Sequence, residues 1–261
     1  MIYVMSDIHG NRRRFDSIME QIGLQPEDHL YVLGDVIDRH PHGIDILLQL
    51  MDMPNVTMLL GNHEHMMLNS YDPLDKLDRY WRQEFINLWL QNGGYETIEA
   101  FGKLDESSRS RVLSYLQSLP VKKTIVAGHK RYYLVHATPI EMYDPTQLNQ
   151  FKTDTEYAVW NRLHHDTKLP RGSIVVFGHT PTDYYVEEVE AEEYYKLGIW
   201  VTPKRKPGLM SIWRGDHRIC IDCGSGYPDE FDKSWGAMGR LACLRLDDGK
   251  EFYSLEHFEQ D

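Results

Sequence analysis

Cysteine is scarce in this chain of 261 residues: there are three, Cys220, Cys223 and Cys243. So few thiols, odd in number and close together, make no disulfide framework, and all three are expected to be reduced. Cys220 and Cys223 have the C-x-x-C form, but no second cysteine pair completes a zinc site. In "RICIDCGSG" they sit in a strand-like alternation and read as core thiols. No apolar run approaches the ~18 residues needed to cross a bilayer. The opening "MIYVMSDIHG" lacks the basic start and sustained apolar stretch of a signal peptide, so a cytoplasmic protein is expected. Positive charge is also in deficit. Against 40 Asp and Glu stand 28 Lys and Arg, a formal charge of −12, which argues against stable nucleic-acid binding. An anionic substrate must be drawn by a local positive centre.

The composition that remains, 41% hydrophobic and 26% charged, is that of a globular protein. The length suits one domain with insertions, read as residues 1–261. Short apolar or β-branched runs at Ile2–Met5, Leu30–Leu33, Val56–Leu60, Tyr132–Val135, Ile174–Phe177, Ile219–Ile221 and Leu241–Leu246 predict strands. Between the first three, Phe15, Ile18, Met19 and Ile22, then Ile44, Leu47, Leu48 and Met51, mark amphipathic helices, with Gly23 and Pro54 as stops. Alternating strands and helices imply βαβ units and a parallel sheet covered on both faces.

A helical insertion is expected over about 74–120. In "DRYWRQEFINLWLQ" (Asp78–Gln91) one helical face carries Trp81, Phe85, Leu88 and Trp89, and reads as core packing. A second helix is expected over Ser108–Leu119, before Pro120. An irregular excursion spans about 183–217, where an acidic run precedes "PKRKPG". Its Lys204, Arg205 and Lys206 are expected to tune substrate choice rather than chemistry. Arg12, Arg13 and Arg14 start a helix, where positive charge opposes the helix dipole, and read as a solvated face. His164, His165 and His217 read as surface residues.

The residues after the strands carry the chemistry. "SDIHG" follows the first, "GDVIDRH" the second, "GNHE" the third, "HAT" the fourth and "GHTP" the fifth. The carboxyl ends of strands in an open α/β sheet face one crevice, so these turns should converge. Singly each motif is weak; together they gather Asp7, His9, Asp35, Asn62, His136 and His179. Mixed oxygen and nitrogen donors suit Mn, Fe or Zn better than Ca or an all-oxygen Mg site, and the absence of a cysteine donor disfavours structural zinc. Glycines 10, 34, 61 and 178 fit tight turns where backbone approaches a metal.

These motifs resemble the calcineurin-like metallophosphoesterase superfamily. "GDVIDRH" and "GNHE" look like its phosphoprotein phosphatase branch, which holds Ser/Thr protein phosphatases, small phage and bacterial phosphatases and dinucleoside tetraphosphate hydrolases. "VWNR", "FGHTP", "ICIDCGSG" and "LACLRL" extend the likeness over most of the chain outside the insertion and the excursion. The resemblance implies an α/β fold: a β-sandwich of mixed sheets flanked by helices, four layers αββα. It implies two divalent metal ions, Mn expected with Fe or Zn as alternatives. Asp7, His9 and Asp35 would hold one; Asp35, Asn62, His136 and His179 would hold the other. It further implies His63 as general acid, Asp38 as its orienting carboxylate, and Arg39 and Arg162 as the pair that grips phosphate.

Three positions depart from the family pattern: Ser6 in the first motif, His40 at the end of the second, and "HAT" for the common "HGG" or "HAG". The function implied is hydrolysis of phosphate monoesters, phosphoserine and phosphothreonine of proteins first, by direct attack of a metal-bridging hydroxide without a phosphoenzyme. The alternative is a dinucleoside tetraphosphate hydrolase. A non-catalytic metal-binding scaffold is the remote third reading, disfavoured by the complete ligand set with His63 and Arg39. The expected partner is a phosphorylated protein or small molecule.

Overall fold

Side chains alternate along the first strand, and that alternation feeds two different cores. A computed structural model describes residues 1–72, 74, 76–146, 151–169, 171–186, 208–228 and 237–255. The first part of the chain runs β1 (Ile2–Met5), α1 (Arg12–Ile22), β2 (His29–Val32), α2 (Gly43–Met51), β3 (Val56–Met58) and α3 (Asn62–Tyr71). Helices α4 (Arg79–Gln91), α5 (Tyr95–Gly102) and α6 (Glu106–Ser118) follow. Then come β4 (Lys122–Ala127), β5 (Lys130–Val135), a 3-10 turn at Ile140–Met142, α7 (Asp154–Trp160) and β6 (Ile174–Phe177). The described chain closes with β7 (Gly208–Leu209), β8 (Trp213–Gly215), β9 (Arg218–Cys220), β10 (Ala237–Met238), β11 (Ala242–Arg245) and β12 (Glu251–Tyr253).

The strands form two mixed five-stranded sheets, ordered β12-β11-β1-β2-β3 and β4-β5-β6-β9-β8, beside a short β7–β10 pair. Within the first, β1, β2 and β3 are parallel, as the βαβ pattern requires, and β11 joins β1 antiparallel. Val4, Tyr31 and Leu33 meet Leu134, Val176 and Ile219 between the sheets. On the outer face of the first sheet Met5, Leu30 and Val32 pack under Phe15, Ile18, Leu47, Trp89, Phe101 and Leu116 of the helices. On the outer face of the second, Val135, Val175 and Phe177 cluster with Ala158 of α7 and Leu163. The order is therefore helices, sheet, sheet, helix. The parallel sheet is covered on both faces, but one cover is the second sheet.

Several local expectations change in three dimensions. β4 is an additional strand: it lies at a sheet edge with Lys122, Lys123 and Thr124 exposed, and solvated edges carry little apolar alternation. β7 and β8 fall inside the irregular excursion, and β8 pairs antiparallel with β9. Residues 187–207 of the excursion, including Lys204, Arg205 and Lys206, lie outside the described residues. The aromatic stripe of α4 is not uniformly core. Trp89 is buried, whereas Trp81 remains 44% and Leu88 36% exposed, because only part of the helix is covered by its neighbours. Arg14 is not solvated either. Its buried Nη1 donates to the carbonyls of Ser225 (2.7 Å) and Tyr227 (3.2 Å), tying α1 to the loop after β9. The three cysteines are buried free thiols, as expected.

Candidate active site

Strand ends bring the predicted residues together. Asp7 and His9 follow β1; Asp35, Asp38 and Arg39 follow β2; His136 follows β5; His179 follows β6. Asn62 and His63 are not in a turn but open α3, with Gly61 as its N-cap. Left-handed backbone concentrates here: φ is 56° at Asp7, 51° at His9, 54° at Asp35, 73° at Asp38, 69° at Arg39 and 65° at His179. Such conformations cost roughly 1 kcal/mol or more for a non-glycine residue. The surroundings hold them in place. The Glu64 carboxylate accepts the N–H groups of Asp35 (2.8 Å), Val36 (2.9 Å) and Gly61 (3.2 Å), closing the loop after β2 onto the start of α3. Gly178 must be glycine, since a Cβ there would lie 2.1 Å from Asp7 Oδ2.

Each histidine around Asp35 has one nitrogen committed to backbone or carboxylate. His9 Nδ1–H donates to Ile37 O (3.2 Å), His136 Nδ1–H to Leu33 O (2.8 Å) and His179 Nε2–H to Trp160 O (3.1 Å). In the neutral rings of His9 and His179 the tautomer so selected leaves the other nitrogen as an acceptor; at His136 the other nitrogen becomes one once its second proton is displaced. These free nitrogens all turn toward oxygens. His136 Nε2 lies 2.9 Å from Asn62 Oδ1 and 3.4 Å from Asp35 Oδ2, and His179 Nδ1 lies 2.9 Å from Asn62 Oδ1. His9 Nε2 lies 3.9 Å from Asp7 Oδ1 and 3.8 Å from Asp35 Oδ2. Imidazole nitrogens and carboxylate and amide oxygens gathered round one buried space make a mixed donor set that suits a cation. Among the described residues two groups whose donor atoms lie within 4.8 Å of one another emerge, His9–Asp35–His63 and Asp35–His136–His179, with Asp35 in both.

Electrostatics makes the same demand. Burial pushes the Asp7 carboxyl up to about 6 and Glu64 up to about 7, in each case with the Asp35 charge adding to it; Asp222 is raised by burial and then by Asp7. Buried carboxylates this close cannot all ionise unaided. Burial would lower His136, but the carboxylates of Asp35 and Asp7 outweigh it and raise the imidazole to about 9. His179 is lowered to about 3 and His9 well below its ordinary value, both by burial first, so both rings are neutral donors. Divalent cations would relieve the anionic repulsion and displace the proton on His136. The residues fit a metal centre.

Beside this cluster, His63 Nδ1–H donates to Asp38 Oδ2 at 2.6 Å, with both side chains buried. His63 Nε2 lies 3.4 Å from Arg39 Nη2 and 3.8 Å from Asp35 Oδ2. Arg39 is an exposed residue whose Nη2 stands beside His63 at the edge of the cluster. Arg162 is exposed too. Its guanidinium stands 5.8 Å over the Tyr184 ring, and its charge is among those that lower His179.

Other contributors escaped the sequence reading. Trp89 Nε1–H donates to Asp38 Oδ2 at 2.7 Å, Asp38 N–H donates to Thr97 Oγ1 at 2.9 Å, and Arg39 N–H donates to Gly93 O at 3.0 Å. A Cβ at Gly226 would lie 2.6 Å from Arg39 Nη1 and 2.5 Å from His9 Cδ2, so the loop after β9 touches both. The adjacent glycines of "WLQNGG" were the available signal for the first group, since a Gly-Gly pair marks a turn.

The sequence profile described as calcineurin-like phosphoesterase matches residues 1–202. The chain belongs to this family. As a metallophosphoesterase it is a phosphoric ester hydrolase of a family that uses a dinuclear divalent metal centre. This metallophosphoesterase is 27% identical over 192 residues to serine/threonine-protein phosphatase 2 of Salmonella typhimurium, covering 70% of this chain and 81% of that one. It is 24% identical over 164 residues to the symmetrical bis(5'-nucleosyl)-tetraphosphatase of Acidovorax ebreus, covering 62% and 52%. A solved chain provisionally described as a diadenosine tetraphosphatase shares its fold, with a TM-score of 0.55 at 16% identity over 99% of this chain and 94% of that one. Among the described residues of the metallophosphoesterase, no helix is long and apolar enough to cross a membrane.

Proposed function

We propose that this metallophosphoesterase hydrolyses phosphate monoesters, with phosphoserine and phosphothreonine of proteins as its substrates. The observation that carries the reading is the convergence of histidine nitrogens on the buried Asp35 carboxylate with the His63–Asp38 pair and an exposed Arg39 alongside. In this reading Asp7, His9 and Asp35 hold one divalent ion, and Asp35, Asn62, His136 and His179 hold another, manganese being the expected metal. Bound there, the ions would lower the pKa of a water toward ~7 and polarise the phosphoryl oxygens. The chain's own residues do the rest. Arg39 and Arg162 orient the phosphate and neutralise charge on its equatorial oxygens. His63, held by Asp38 with Nε2 toward the cluster, gives a proton to the leaving oxygen.

Arg39→Ala should keep both metals and lower kcat/KM about 10²–10³-fold, the cost of removing one positioned donor to the transition state. An unchanged kcat/KM would remove Arg39 from the site. A second reading, hydrolysis of dinucleoside tetraphosphates, is favoured by the tetraphosphatase relative. Steady-state assays on a phosphoserine peptide beside diadenosine tetraphosphate separate the two. The first reading expects the higher kcat/KM on the peptide; the reverse ranking establishes the second.

A further inference from the structure

Asp38 sits under a clamp supplied by α4, α5 and the turn between them. Its backbone N–H reaches Thr97 Oγ1, and the next residue's N–H reaches Gly93 O. Its side chain accepts from Trp89 through the same oxygen, Oδ2, that accepts from His63. Asp38 Oδ1 is buried and has no hydrogen-bond partner among the described residues. The direction of the carboxylate is therefore set by the two donors on Oδ2. One of them, His63, is the group being oriented; the other, the indole, is rigid. Trp89 is buried at 1% exposure, and its ring is wedged where a Cβ of Gly94 would fall, 2.6 Å from Cδ1 and Nε1. That contact requires the glycine at 94; at Gly93 the requirement is a φ of 93°, with Arg39 Cγ 3.0 Å from where a Cβ would fall.

We propose that Trp89 is a positioning residue for proton transfer. Its indole N–H fixes the Asp38 carboxylate, and the carboxylate fixes the His63 ring with Nε2 toward the leaving oxygen. The inference rests on the reading of His63 as the proton donor. Trp89 touches no substrate; it acts through Asp38. Loss of the N–H leaves Asp38 free to turn about its terminal torsion and present either oxygen, and a catalytic group displaced by about 1 Å loses on the order of 10²-fold in rate.

The test measures kcat, KM and metal content for Trp89→Phe, His63→Asn and the double variant, on a phosphoserine peptide and on p-nitrophenyl phosphate. Phe101→Leu serves as the packing control, since Phe101 is buried in the same core. Trp89→Phe should lower kcat on the peptide about 10- to 100-fold. Its kcat on the aryl phosphate should stay within about threefold, with KM and metals unchanged, because a good leaving group departs without help. Added to His63→Asn it should cause no further loss, as two residues acting through one group are not additive. Equal losses on both substrates, as expected of the control, or a full multiplication with His63→Asn, would reduce Trp89 to packing and overturn the proposal. If His63→Asn is selective for the alkyl ester and Trp89→Phe is not, this inference alone fails. If His63→Asn is not selective, the proton-donor reading fails and this inference falls with it. Should Trp89→Phe not fold, indole ¹⁵N–¹H spectra decide. One indole resonance should move upfield in Asp38→Asn, and an unmoved set overturns the proposal.

Discussion

Asp35→Asn is expected to abolish turnover and to cut the metal content of the purified protein together with it. Asp35 Oδ2 is the oxygen that both donor groups face, 3.8 Å from His9 Nε2 and 3.4 Å from His136 Nε2. Its Oδ1 accepts the His63 N–H at 3.0 Å, so the side chain also docks the start of α3. Asparagine is nearly isosteric and keeps one carbonyl oxygen for that contact. It removes the charge and turns amide hydrogens toward at least one cation. The carboxylate of Asp35 is itself held well below its usual range: His136 and His63 outweigh the burial that would raise it, which marks a group built to stay ionised. Loss of one metal ion or both should leave kcat more than about 10⁴-fold down, since a catalytic metal supplies both nucleophile and electrophile. Far-UV circular dichroism should change little. Full metal occupancy by elemental analysis in this variant would show that Asp35 does not serve both ions.

His63→Asn should have the opposite signature: both metals retained and a loss that depends on the leaving group. Two roles compete for this side chain. His63 shares a donor group with His9 and Asp35, so Nε2 could ligate; yet its Nδ1 is bound to Asp38 and its Nε2 also faces Arg39, which suits a proton donor beside a bound anion. General acid catalysis contributes roughly 10²–10⁴-fold, and it matters in proportion to how poor the leaving group is. Hydrolysis of a phosphoserine peptide should therefore fall by that factor, and hydrolysis of p-nitrophenyl phosphate far less. Equal losses with metals in place would leave His63 as an electrostatic contributor only. Loss of metal would make it a ligand.

The sequence by itself determined which residues could meet. Asp7, His9, Asp35, His136 and His179 each follow an apolar strand, and strand ends on one side of a sheet open into one crevice. The parallel β1–β2–β3 core and the helices α1 and α2 were legible because period-two and 3.6-residue patterns are local properties. Periodicity shows which face of an element is apolar but says nothing of what covers it. Hence the stripe of α4 read as uniformly buried while Trp81 is exposed and Trp89 reaches Asp38, fifty-one positions away in sequence. Arg14 read as solvated for the same reason, its carbonyl partners lying beyond residue 220.

Only the tertiary structure decided which nitrogen of each histidine faces inward. That choice belongs to the carbonyls of Ile37, Leu33 and Trp160, brought up by other elements. Only it decided, too, that the loop after β2 could keep its left-handed residues, because the Glu64 carboxylate gathers its N–H groups. Hydrogen-bond partners of buried polar groups are chosen by packing across the fold, and packing is not written in any one stretch of sequence.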